Sequence, residues 1–293
     1  MVLAAALPGT ERARRRIEPV LPPPGLEVLP PSPGAEPRAP IVLLPALGFA
    51  GRSLLPVARA LDGRRLRALV DPPGIEGGPP LPSIDADALL DGLAGAIDRL
   101  DAGPVVLAGH SIGGAIAVRL AARRPERVAA LVLIDAPVSP FPLSWWERLA
   151  LHPATWVALL DLLGPVLAVR LALPDVLGEP APIREQALRA YAERLDSRAR
   201  RETMLAYHDA FLDRAALGRT HAALATVRAP VLVIWGARDR VLPQSMIDAT
   251  EATLPRSTAR AIERLPDAGH LLPLERPEAT ARAIDAFLAD RSF

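Results

Sequence analysis

Val105-Val106-Leu107-Ala108-Gly109-His110-Ser111-Ile112-Gly113-Gly114 reads as a buried strand, a tight turn and the opening of a helix. Gly103-Pro104 introduces the apolar run Val105 to Ala108, the pattern of a strand covered on both faces. After the turn, Ala115 to Ala122 is rich in small residues at helical spacing. Gly109-x-Ser111-x-Gly113 fits the G-x-S-x-G pattern, in which a serine is held on a sharp strand-to-helix turn. Such a turn strains the serine backbone and leaves no room for side chains two positions to either side. It also sets the serine at a helix N-terminus, where free N–H groups and the dipole favour developing negative charge. The pattern alone also fits a structural turn; its strand–turn–helix setting points to a nucleophile.

The same alternation extends outward. Ile41 to Leu44 predicts a buried strand, followed by the loop Pro45 to Gly51 and a helix over Arg52 to Asp62. Leu66 to Val70 is the next strand, closing on Asp71-Pro72-Pro73-Gly74, and Ser83 is the expected N-cap of a helix reaching about Leu100. Pro125 ends the helix that follows Ser111, and Val128 to Asp135 is another apolar strand. Later come the strand Val231 to Trp235, a helix from near Pro243, a strand over Ala259 to Arg264 and a final helix over Glu278 to Ala289. Strands alternating with helices of this length predict right-handed βαβ units and a parallel sheet. The alternation breaks between Pro137 and Ala225, where apolar residues recur at helical spacing. The expected organisation is therefore a core of residues 38–136 and 226–293 interrupted by a helical insert, 137–225. Residues 1–37 are proline-rich, with edge strands expected at Arg14–Val20 and Leu26–Leu29 and an unstructured first ten residues.

Composition narrows the chemistry. The 293 residues carry 34 basic and 33 acidic side chains, a net charge of +1 that gives no reason to expect a nucleic-acid partner. Every basic residue is arginine, and there is no cysteine, which removes disulfides, thiol catalysis and cysteine metal sites. Met1 to Leu7 is short, lacks a positive n-region and runs into Arg12 to Arg16, unlike a secretory signal. No apolar run is long enough to span a membrane, so a cytoplasmic protein with a small-molecule substrate is expected. Self-association stays open.

A serine hydroxyl needs a neighbouring base, and the base needs a carboxylate to orient it. Of five histidines, His152, His208 and His221 fall in or beside the insert, and the His110 side chain should point away from Ser111. His270, in Leu265-Pro266-Asp267-Ala268-Gly269-His270, follows the last predicted strand at the sheet's carboxyl edge and is the expected general base. Asp239, in Trp235-Gly236-Ala237-Arg238-Asp239, follows another apolar strand at that edge and is the expected acid; Asp135 is the runner-up. The order Ser, Asp, His accompanies this turn motif. The oxyanion would be held by the N–H groups of Ile112 and of Leu47 in the loop after Ile41–Leu44, although that loop also reads as a plain turn.

These motifs, with Leu133-Ile134-Asp135-Ala136-Pro137, make the chain from about Pro40 to Phe293 resemble a capped, esterase-like member of the α/β-hydrolase superfamily. The resemblance implies an eight-stranded, mostly parallel sheet with a helical cap, no metal and no organic cofactor. Two departures stand out. Pro45-Ala46 occupies the place where many relatives carry His-Gly, and proline offers no N–H to an oxyanion. The loop Asp71 to Glu76 also lacks the customary His-Gly. Serine at 111 argues against the aspartate-nucleophile branches, haloalkane dehalogenases and most epoxide hydrolases.

The expected activity is hydrolysis of a small, largely apolar carboxylic ester through an acyl-enzyme. A thioester, a lactone, a carbon–carbon bond beside a ketone or a perhydrolase side reaction could use the same groups. A non-catalytic ligand-binding protein on this fold is the alternative of another class, motivated by Pro45-Ala46. Phe49, His110, Trp145 and Trp146 are the expected substrate contacts, with Phe141, Leu143 and Trp156 as further members of an apolar wall, or as packing for the insert. The run Arg184 to Arg201, with Glu185 and Glu193, reads as a solvated helix face.

Overall fold

A computed structural model describes residues 21–36, 38–76, 78–141, 153–176, 191–193, 195–256, 258–289 and 291. Seven strands form one sheet: β1 (Gly25–Leu29), β2 (Ile41–Leu44), β3 (Arg67–Asp71), β4 (Val105–His110), β5 (Val128–Ile134), β6 (Val231–Gly236) and β7 (Arg260–Leu265). Their order is β1-β3-β2-β4-β5-β6-β7. β1 runs antiparallel to β3 and every other pairing is parallel. Eight strands were expected; the described residues hold seven, and the edge strand anticipated at Arg14–Val20 lies outside them, as do the first ten residues.

The central strands are buried along their whole length because both faces are covered. Val42, Leu44, Leu107, Leu131 and Val233 face one layer, which holds α2 (Ala86–Asp98), α3 (Ile112–Arg123) and α8 (Ser245–Thr253). Ile41, Leu43, Val106, Val132 and Ile234 face the other, packed by α1 (Leu55–Ala60) and α10 (Pro277–Ala289). Each fully buried side chain of this size contributes about 1.5–3 kcal/mol to folding. A single register slip would exchange the two faces of a strand.

Between β5 and β6 stand four described helices, α4 (Pro153–Leu163), α5 (Pro165–Val176), α6 (Arg198–Phe211) and α7 (Arg214–Leu224). The α6 helix joins the core through Arg119 of α3, whose guanidinium lies over the Phe211 ring at 5.0 Å. Among the described residues, no helix is long and apolar enough to cross a membrane.

Chain reversal places the site. After β2 the chain covers one face with α1 and pairs β3 on one side of β2; after β4 it covers the opposite face with α3. The crevice outside the carboxyl ends of β2 and β4 is therefore the topological switch point, where ligands of open parallel sheets bind. Leu44 ends one of these strands and His110 the other.

Two local expectations change. The helix expected over Arg52–Asp62 splits into a 3₁₀ turn, Gly51–Leu54, and α1, because Pro56 has no N–H to give to a preceding turn. The cap of α2 is Asp85 rather than Ser83: its Oδ1 accepts from the N–H groups of Asp87 and Ala88 at 2.9 and 3.0 Å. Asp85→Ala should therefore lower the unfolding free energy by about 1 kcal/mol, while Ser83→Ala shifts it by less than about 0.5 kcal/mol. Urea unfolding of both variants checks the assignment.

Candidate active site

Ser111 sits between β4 and α3 with φ +53° and ψ −124°, a strained conformation for a residue with a side chain. Its N–H donates to the Ile134 carbonyl at 2.9 Å, which fixes the turn against β5. Although Ser111 occupies the N-cap of α3, its hydroxyl makes no capping bond and stays available to a base. The flanking glycines are demanded by backbone contact. A Cβ on Gly109 would lie 2.3 Å from the Gly113 carbonyl oxygen, and one on Gly113 would lie 2.3 Å from that of Leu44.

The structure brings Ser111, His270 and Asp239 together from three strand ends. His270 Nε2 lies 3.0 Å from Ser111 Oγ, and its Nδ1–H donates to Asp239 Oδ2 at 2.9 Å. The other Asp239 oxygen, Oδ1, accepts from the N–H groups of Val241 and Leu242 at 2.7 and 3.0 Å, so both carboxylate oxygens are engaged. Ser111, Asp239 and His270 are all buried. Low polarity around charged or hydrogen-bonded groups strengthens them.

Leu47 and Ile112 line one apolar cavity of about 400 Å³ including its open mouth. Neither backbone N–H is taken by another hydrogen bond among the described residues. Leu47 lies inside a turn closed by Phe49 N–H donating to the Ala46 carbonyl at 3.0 Å. Pro45 therefore costs the loop one donor without removing the donor at 47. The cavity continues past Val70, Leu89 and Ile116 to Tyr207.

The expected substrate contacts divide. Trp145, Trp146 and Leu143 lie outside the described residues, as do residues 184–190 and 194 of the arginine-rich run. Trp156 lies on α4, and Phe141 is half-buried against the core. Phe49 stacks on Tyr191 of the insert, ring centroids 4.8 Å apart, and is not among the residues that line the cavity. The His110 ring is turned to the His270 loop. It is buried and its Nε2–H donates to the His270 carbonyl at 2.7 Å; like Ser111 and His270 themselves, it is not among the residues that line the cavity. Burial, reinforced by the neighbouring His270, drives its pKa from 6.5 down to about 3, so it works as a neutral prop beneath the His270 loop.

Residues that sequence reasoning passed over complete the surroundings. Glu275 is buried and accepts from the Gly269 N–H at 3.0 Å. From α6, Tyr207 Oη–H donates to the Pro73 carbonyl at 3.0 Å, Arg200 donates to the Ile75 carbonyl at 2.6 Å, and Thr203 Oγ1 accepts from the Leu81 N–H at 2.7 Å. These bonds hold the loop after β3 against the insert, over one side of the cavity. A ligand-type atom from each of Asp135, Asp239 and His270 lies within 4.8 Å of the other two. The His270–Asp239 hydrogen bond draws two of them together, and Asp135 Oδ1 accepts from the Gly236 N–H at 2.8 Å.

Comparison with known proteins agrees with this architecture. The sequence profile of the alpha/beta hydrolase family matches residues 41–283. A 53-residue stretch, 18% of this chain and 20% of the relative, is 55% identical to lipase LipV of Mycobacterium tuberculosis. The 2-hydroxymuconate semialdehyde hydrolase of a Pseudomonas species is 28% identical over 70% of this chain and 69% of its own. The chain spans between a fifth and a half of the length of the first curated relatives it matches. Among solved structures, a thermophilic esterase from Thermogutta terrifontis superposes with a TM-score of 0.71 over 92% of this chain and 94% of that one, at 22% identity, a likeness of fold.

Two outcomes follow from the geometry. Gly113→Ala should destabilise the protein by about 1–3 kcal/mol, since the colliding atoms are backbone and cannot swing aside; thermal or urea unfolding reads this directly. His110 takes up its proton near pH 6.5 when unfolded but only at about 3 when folded. Protons therefore favour the unfolded chain, and stability falls as pH drops below 6.5, by up to about 1.4 kcal/mol per pH unit from this group. His110→Gln should remove that part of the slope between pH 6.5 and 3, measured as the difference between wild-type and variant unfolding curves.

Proposed function

This chain belongs to the alpha/beta hydrolase family, and we propose that within it the protein is a serine hydrolase acting on a small, largely apolar carboxylic ester. The observation that carries the reading is the unbroken hydrogen-bond run from Ser111 Oγ through His270 to Asp239, at 3.0 and 2.9 Å.

Ser111 Oγ attacks the ester carbonyl carbon while its proton passes to His270 Nε2, a step that a positioned base accelerates by about 10²–10⁴-fold. Negative charge collects on the carbonyl oxygen, where the N–H groups of Leu47 and Ile112 receive it; each such donor is worth about 10²–10³ in rate. Asp239 stays ionised and steadies the imidazolium through Nδ1–H. His270 returns the proton to the departing alcohol, leaving an acyl group on Ser111. Water, activated by the same imidazole, then releases the acid and restores the serine. The atoms balance with ester and water alone, so the reaction as proposed calls for no metal or organic cofactor. The helices between β5 and β6 serve as a cap over the carboxyl edge of the sheet.

The cavity beside the oxyanion donors supports an apolar acyl group. Its described walls are aliphatic apart from Tyr207, whose hydroxyl is already spent on the Pro73 carbonyl. Among the described residues, no charged side chain lines it. An acyl chain bearing a carboxylate would lose its hydration there without gaining a partner. This weighs against carbon–carbon hydrolysis of an acidic substrate by the same groups.

A fluorophosphonate probe should label folded wild-type protein at Ser111 and leave Ser111→Ala unlabelled. Absence of labelling in folded protein would favour the ligand-binding alternative. Against a chromogenic ester, Ser111→Ala and Asp239→Asn should each lower kcat by about 10⁴-fold or more. Across straight-chain acyl esters, kcat/KM should rise about fourfold per methylene until the cavity fills, following about 0.8 kcal/mol per buried CH₂. A flat profile, or preference for a carboxylate-bearing acyl group, would overturn the assignment of substrate class.

A further inference from the structure

Asp135 has no part in the chemistry just described, yet it occupies the seam between the serine turn and the acid-bearing turn. The residue before it, Ile134, accepts the Ser111 N–H through its carbonyl at 2.9 Å. Asp135 itself has φ +43°, is completely buried, and donates its own N–H to the Ile234 carbonyl at 3.0 Å. Its Oδ1 accepts from the Gly236 N–H at 2.8 Å. Gly236 in turn accepts the Asp239 N–H through its carbonyl at 3.0 Å. A Cβ on Gly236 would lie 2.3 Å from the Gly269 carbonyl oxygen, so the Gly236 backbone also abuts the loop that carries His270. One side chain thus pegs the backbone point from which the acid-bearing turn departs and against which the base-bearing loop packs.

Two carboxyl groups sit within 4.8 Å of each other in this buried space. Their surroundings differ sharply. Asp239 receives two backbone N–H bonds and the His270 ring, whereas Asp135 receives Gly236 alone and its Oδ2 meets no hydrogen-bond partner. Two buried anions this close repel strongly, and the one with fewer donors keeps the proton. We propose that Asp135 is a positioning residue for the acid–base pair, held as an uncharged carboxylic acid that fixes Gly236 and leaves Asp239 the anion that answers His270. The groups facing it are Asp239 at the end of β6, His270 after β7 and Glu275 on the short helix α9 (Leu272–Glu275); His110, at the end of the neighbouring strand β4, pairs in register with Ile134. His110 is neutral, and the charges of Asp239 and Glu275 both push the Asp135 proton on rather than off. Burial acts in the same direction and is the largest cause. The positioning role rests on the serine-hydrolase reading; the uncharged state does not.

The uncharged state is tested without any substrate. Folded Asp135 keeps its proton where the unfolded chain, at about 3.8, gives it up, so this group costs stability as pH rises above 3.8. Asp135→Asn keeps the acceptor for Gly236 and tolerates the positive φ. Its unfolding constant should improve on wild type by up to about tenfold per pH unit between pH 4 and the pH at which the folded group ionises. A gap that does not change with pH would mean a charged Asp135 and overturn the proposal. The positioning role is read from kinetics on the ester that wild type hydrolyses. Asp135→Asn should keep kcat within about threefold and hold the acidic limb of the pH–rate profile within a few tenths of a unit. Asp135→Gly, which suits the backbone but leaves Gly236 N–H without its acceptor, should lower kcat about tenfold with little change in KM. An acidic limb displaced by about one unit or more in Asp135→Asn would again show a lost charge. Full kcat in Asp135→Gly would remove the positioning role. Should wild type turn over no ester, the hydrolase reading fails while the unfolding measurement still decides the state of Asp135.

Discussion

The Gly113 backbone presses against the Leu44 carbonyl so tightly that a single methyl group would not fit. That contact joins the helix behind Ser111 to the end of β2, and the rest of the site inherits its geometry. It brings the Ile112 N–H and the loop bearing Leu47 onto one cavity, and it holds the serine turn at the sheet edge where the chain reverses direction. The other side of the turn is fixed just as firmly, by the Ser111 N–H on the Ile134 carbonyl. A strained serine persists only because its neighbours leave the backbone nowhere else to go.

The fold was legible because its central strands are short apolar runs covered on both faces, a signal that survives in a single sequence. Ser111, Asp239 and His270 were legible for a related reason. Each lies a short way beyond the carboxyl end of a strand, Ser111 after β4, Asp239 after β6 and His270 after β7, and parallel strands put these ends on one edge, so three points far apart in sequence fall together. The N–H groups of Leu47 and Ile112 were picked out by position along the chain alone, since a backbone N–H leaves no mark on residue choice. His110 was harder to place. Period-two reasoning says its side chain turns away from Ser111, but only the folded His270 loop supplies the carbonyl that engages it. Asp135 and Asp239 both looked like acids at strand ends, and what separates them is the number of backbone donors each meets. The contacts of Tyr207 and Arg200 span more than a hundred residues and end on backbone carbonyls, so no local pattern announces them.

Ionisable groups crowd this edge of the sheet, and their burial sorts them. His110 is driven to the neutral imidazole and Asp135 to the neutral acid, both mainly by loss of water. The bonds left to Asp239 and His270 are those that a transferable proton would need. Stability and chemistry therefore draw on the same residues in opposite senses: burying His110 weakens the protein in acid, and burying Asp135 weakens it as pH rises.

Arg200, Thr203 and Tyr207 stand on one face of α6 and hydrogen-bond the backbone of the loop after β3, at Ile75, Leu81 and Pro73. The grip adds to the burial of Ile75 and Leu81, so the path of the loop is fixed from both its backbone and its apolar side chains. It also makes loop and insert a single heritable module. Grafting this insert onto another sheet without residues 71–83 would strip three polar anchors of their partners, so recombination that respects the fold has to carry both segments across together.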